Sequence, residues 1–87
     1  MSVTDETKRI LLQTLQLTIS PDTLTDQTLL LGALPELDSM AVVTILTAFE
    51  DNFGFVIDDD EISADTFATL GTLVNFVERK LKNQLAS

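Results

Sequence analysis

Asp38-Ser39-Met40-Ala41-Val42-Val43-Thr44-Ile45-Leu46-Thr47-Ala48-Phe49-Glu50-Asp51-Asn52-Phe53-Gly54 holds the clearest periodicity in the chain. Val42, Leu46, Phe49 and Phe53 follow i, i+4, i+7, i+11, and Met40, Val43 and Ile45 widen the stripe, which predicts a strongly apolar helix. Asp38 or Ser39 supplies its N-cap, since a side-chain oxygen there can satisfy a free backbone N–H. The reciprocal Glu or Gln of a capping box is missing, because Ala41 and Val42 stand three residues on. Gly54 directly after Phe53 suits the left-handed residue that closes a helix.

Upstream, a first helix is predicted from Val3 to Leu17, with Ile10, Leu11 and Leu15 at helical spacing and Asp5 and Glu6 near its positive end. Ser2 or Thr4 caps it, and Ser20-Pro21-Asp22 ends it, because the residue before proline leaves the helical region. Residues 18–38 form a long connection with Pro21, Gly32 and Pro35, yet they carry Leu24, Leu29, Leu30, Leu31, Leu34 and Leu37. So many leucines are incompatible with disorder and require the loop to fold onto a core.

Downstream, Phe55-Val56-Ile57 has no second alternating run to pair with and reads as an apolar loop. Asp58-Asp59-Asp60-Glu61 then leads into a short helical segment around Ile62, Ala64 and Phe67. A last helix, capped by Thr69, puts Leu70, Leu73, Val74, Val77 and Leu81 on one face, with a Glu78/Lys82 pair outside. The expected fold class is all-α: one domain over residues 1–87, a small bundle of three main helices plus one short helix with a long first loop.

Composition narrows the chemistry. The 87 residues include five Lys+Arg and fourteen Asp+Glu, a net charge of −9, with no His, Cys, Trp or Tyr. Thiolate nucleophiles, disulfides and Cys or His metal sites are thereby excluded, as is the commonest general base. A chain this short buries only about 60–65% of its unfolded surface and rarely builds a catalytic cleft as well as a core, so a self-contained enzyme is not expected. Nucleic-acid binding is disfavoured by charge, and the expected partners have basic surfaces. Apolar runs stop at about three residues, such as Ile10–Leu12, far short of a membrane span or export signal; no membrane insertion and a cytoplasmic location are expected. The acidic run fails as an EF-hand loop: counted from Asp58 the fifth and sixth positions are Ile62 and Ser63, and counted from Glu50 they are Gly54 and Phe55. No metal site is expected.

Leu37-Asp38-Ser39-Met40, then Val43 and Leu46, then Phe49-Glu50-Asp51-Asn52-Phe53-Gly54, Ile57 and Asp59-Asp60-Glu61 resemble the acyl carrier proteins, in order and spacing, across nearly the whole span from Val3 to Leu81. The resemblance implies that Ser39 is an attachment point: its hydroxyl would carry 4′-phosphopantetheine, derived from coenzyme A, through a phosphodiester. A chain without cysteine would thus obtain its thiol from the prosthetic group. Asp38 would help position the metal-bound cofactor donor in the loading enzyme. The partner surface would be the second helix and its flanks, Glu36, Asp38, Met40, Glu50 and Asp51, with Ile57 nearby. Its partners would be a phosphopantetheinyl transferase and acyl-transferring and condensing enzymes. An aliphatic cargo would lie among Val43, Leu46, Ile57, Ile62 and Leu73, and the chain is expected to act as a monomer.

Fatty-acid-synthesis members of that family commonly carry acids two and five positions after the modified serine, where this chain has Ala41 and Thr44. Rim charges set on-rate and partner choice, so the departure points to a specialised pathway. The Asp-Ser-Met form also occurs in D-alanyl carrier proteins, which leaves an aminoacyl carrier as an alternative. A further alternative is an unmodified acidic helical adaptor, with Ser39 as a plain cap.

Overall fold

The structure, a computed structural model, describes residues 2–31 and 37–86. Among the described residues three helices form: α1 (Val3–Leu15), α2 (Ser39–Phe53) and α3 (Leu70–Ala86), with single 3-10 turns at Pro21–Thr23, Asp59–Glu61 and Ala64–Phe67. The expected all-α architecture is observed, and the short helix is one 3-10 turn, Ala64–Phe67.

α1 starts at Ser2, whose Oγ accepts from the Asp5 N–H at 3.1 Å. Its end differs from expectation. The helix stops at Leu15 because Gln16 turns left-handed at φ 55, well before Pro21. The Gln16 and Leu17 N–H groups then take up the carbonyls of Gln13 and Leu12. A glutamine in that conformation carries none of the signal that a glycine would. Pro21 opens the next 3-10 turn instead, where its missing N–H costs nothing.

α3 is capped as predicted, and reciprocally: Thr69 Oγ1 accepts from the Thr72 N–H at 3.2 Å, and Thr72 Oγ1 accepts from the Thr69 N–H at 3.1 Å. Leu70, Leu73, Val74 and Val77 are buried, joined by Phe76, which lies off the predicted stripe; Leu81 packs at the margin. Among the described residues the ion pairs are Glu6–Arg9 and Glu61–Lys80, and Glu78/Lys82 is not one.

The leucine-rich connection folds onto the core through Leu24, Leu30 and Leu37, while Leu29 and Leu31 face out. Its anchor is main-chain. Leu29 forms an isolated antiparallel bridge with Thr69, flanked by Leu30 N–H to Ala68 O (3.1 Å), Leu31 N–H to Phe67 O (2.9 Å) and Leu70 N–H to Thr28 O (2.9 Å). A one-residue bridge between loops needs no alternating run, which is why no pattern announces it.

In α2 the fully buried residues are Ile45 and Phe49; Val42, Leu46 and Phe53 are only partly covered and Val43 is exposed. The helix is apolar on nearly every side, so periodicity alone leaves its inward face open, and packing against α1 and the loops selects it. Arg9 of α1 reaches Asn52 of α2 at 3.0 Å while pairing with Glu6.

Candidate functional site

The start of α2 assigns the two candidate cap residues different tasks. Asp38 is extended (φ −106, ψ −175), and its Oδ1 accepts from the Ala41 N–H at 2.8 Å while its carbonyl accepts from Val42 at 3.0 Å. Asp38 is therefore the cap. Ser39 is the first helical residue, exposed, and its hydroxyl has no hydrogen-bond partner among the described residues. Ser2 and Ser20 differ: each spends its Oγ on a backbone N–H, of Asp5 and Asp22.

A groove of about 570 Å³ adjoins Ser39, lined by Leu31, Asp38, Ser39, Val42, Ile62, Ser63, Ala64 and Phe67. Its walls come from three segments: the first loop, the first turn of α2 and the stretch ahead of α3. The Leu31–Phe67 main-chain bond holds two of them together.

Of the residues expected around an aliphatic cargo, Ile62 lines this groove and Val43, Leu46, Ile57 and Leu73 do not. Leu73 is wholly inside the core, Leu46 and Ile57 pack against the core's edge, and Val43 points to solvent with 60% exposure. The groove's other apolar or small lining residues are Leu31, Val42, Ser63, Ala64 and Phe67. Val42, one turn after Ser39, could have been found from helical spacing; Leu31 and Phe67 meet only through the loop bridge.

Of the expected partner residues, Met40 and Asp51 are exposed. Glu50 is half-buried, and its carboxylate accepts from the Ile57 N–H at 2.8 Å, so it also fastens the following loop. Ile57 is half-buried beside it, and Glu36 lies outside the described residues. Glu61 closes the loop's far end: it accepts from the Asp58 N–H and from Lys80, and both contacts hold its carboxyl below the usual glutamate range, the Asp58 bond contributing most.

These features suit a tethered phosphopantetheine. An exposed hydroxyl can form the phosphodiester, a helix N-terminus with no acid in its first turn tolerates the anion, and the adjoining groove has apolar walls. Among the described residues, no helix is long and apolar enough to cross a membrane.

Similarity to known proteins agrees with this geometry. The phosphopantetheine attachment site family matches residues 36–77. The acyl carrier protein of Sulfurovum sp. (strain NBC37-1) is 32% identical over 78 residues, covering 90% of this chain and 97% of that protein. The solution NMR structure of a holo acyl carrier protein from Nitrosomonas europaea superposes with a TM-score of 0.84 at 52% identity, over 94% of this chain and 99% of that one. With its helices, capped α2 and matching relatives, the chain belongs to the acyl carrier protein family, carriers rather than catalysts, and its cofactor is covalently attached 4′-phosphopantetheine.

Proposed function

We propose that Ser39 Oγ is the point of attachment and that the chain carries aliphatic acyl groups between enzymes of fatty-acid, lipid or specialised acyl metabolism. One observation carries the reading: Asp38 performs the capping that a serine at a helix start usually performs, which leaves the Ser39 hydroxyl exposed and uncommitted. The prosthetic group, when bound, supplies the terminal thiol on which an acyl group is held as a thioester. The chain's own part is to present Ser39 at the end of a rigid helix, to face the phosphodiester with the positive end of the α2 dipole, and to offer Leu31, Val42, Ile62 and Phe67 as an apolar wall. Asp38 keeps one carboxylate oxygen on Ala41 and has the second to direct toward a metal ion held by the loading enzyme.

The partners are a phosphopantetheinyl transferase and the acyl-transferring and condensing enzymes that follow it. The chain acts as a single carrier domain over residues 1–87 and as a monomer. A cytoplasmic site of action belongs to the same proposal, because loading draws on coenzyme A. Met40, Asp51 and the Glu50–Ile57 corner lie on the surface that such enzymes would meet.

Incubation with a phosphopantetheinyl transferase, coenzyme A and magnesium should add one phosphopantetheine to the intact mass. Ser39→Ala should abolish the gain and Ser20→Ala should not. Asp38→Asn keeps an oxygen for the cap and loses the charge, so it should fold normally and load at least about tenfold more slowly. A protein that stays at its unmodified mass is an adaptor. An amino acid released from holo-protein taken from its own cells would replace the acyl assignment with an aminoacyl one.

A further inference from the structure

The acids of this chain avoid one surface. Ser39 to Phe49 holds no ionisable residue although the chain has fourteen acids, and charge returns only at Asp38 before the stretch and Glu50 and Asp51 after it. Ile45 and Phe49 take the buried side. On the opposite side Met40 is 75% exposed, Val43 60%, and Thr44 and Thr47 are exposed as well. At spacings of i, i+3, i+4 and i+7 these four share a face that runs about 10 Å along the helix from beside Ser39.

The two threonines are less polar than their names suggest. Thr44 Oγ1 donates to the Met40 carbonyl and Thr47 Oγ1 to the Val43 carbonyl, both at 3.0 Å. Their hydroxyls are thus engaged by the helix's own backbone, and their methyl groups complete a strip begun by Met40 and Val43.

We infer that an enzyme acting at Ser39 docks on this strip through an apolar patch, with its basic groups confined to the ends, opposite Asp38 and Asp51. The inference rests on Ser39 being the attachment point, since the strip begins at the very next residue and the loading enzyme must bring its active site to that hydroxyl. A row of Lys or Arg along a neutral strip would be desolvated without partners, which is unfavourable; an apolar patch removes Met40 and Val43 from water instead. Acids at the two ends orient the complex without supplying most of its affinity. The expected basic groups of the partner are thereby placed at the two ends of the strip.

The transferase that loads Ser39 is the first enzyme that must cover the strip, so its loading rate is the readout. Between about 50 and about 500 mM sodium chloride, kcat/KM for the unaltered protein should fall by less than about threefold, because buried apolar contact is not screened. Thr44→Glu and Val43→Asp should each lower kcat/KM about tenfold or more through KM, with unchanged helical circular dichroism, since both positions are exposed. Val43→Leu should load at least as fast as the unaltered protein. A fall above about tenfold with salt, or faster loading by Thr44→Glu, would overturn the strip while leaving Ser39 as the attachment point. No mass gain by the unaltered protein would remove the attachment reading and the strip with it.

Discussion

The two segments that flank α2 are held to the rest of the molecule by different forces. Ahead of the helix, residues 26–31 are tied to residues 67–71 through the main chain: Leu30, Leu31, Leu70 and Gly71 all donate their N–H groups across the bridge. Behind it, the stretch from Phe55 to Glu61 is tied mainly by side chains. Glu50 holds the Ile57 N–H; Glu61 holds the Asp58 N–H and Lys80, with both Lys80 contacts at 2.9 Å. The Lys80 ammonium sits 5.9 Å from the centre of the Phe55 ring, which stacks on Phe53 at 5.7 Å. A main-chain tie tolerates changes of pH and of most side chains. A side-chain tie can be weakened by one substitution or by acid.

The largest break should come in the first segment, from its buried anchor. Leu30→Ala, at a fully buried position, should cost about 2–5 kcal/mol in urea unfolding, whereas Leu29→Ala beside it, largely exposed, should stay within about 0.5 kcal/mol. Equal effects would mean that the bridge does not fix which leucine faces inward.

Gly71→Ala tests how tightly the bridge closes. In an ordinary helix this change stabilises by about 1 kcal/mol. Here a Cβ would stand 2.8 Å from the Asp26 carbonyl oxygen, a backbone atom that also accepts the Gly71 N–H, so the change should destabilise by about 1–3 kcal/mol and speed hydrogen exchange at residue 71. Stabilisation would show that the first loop yields easily.

In the second segment the effects should be smaller and dependent on pH. Glu50→Ala removes the acceptor of the Ile57 N–H and should cost about 1 kcal/mol. Lys80→Met breaks a partly exposed ion pair, a loss of about 0.2–1 kcal/mol near neutral pH. Glu61 has a lowered carboxyl pKa, so the stability it contributes is present above the ordinary glutamate range and is lost as pH falls through its lowered value. The difference between Lys80→Met and the unaltered protein should therefore shrink on acidification. A gap that widened in acid would assign the stabilisation to something other than the ionised pair.

The same division explains what could be read from the sequence. Gly54, Thr69 and the apolar run of α2 are local signals, and each does what its chemistry requires. The motif at Asp38-Ser39 is equally local, although only geometry divides the labour between cap and free hydroxyl. Gln16 ends α1 without any residue-type signal. The groove's lining depends on Leu31 and Phe67, far apart in the chain and joined by backbone alone, so neither spacing nor composition could select them over Leu46 or Leu73. A helix apolar nearly all round permits more than one inward face, so the sequence of α2 does not single out Val43 as solvent-facing, where the structure places it.

The most direct test of the central claim is to locate the modification by fragmenting the loaded protein in a mass spectrometer. The phosphopantetheine increment should reside on Ser39. An increment on Ser63, which lines the same groove, or on any other residue would contradict the claim.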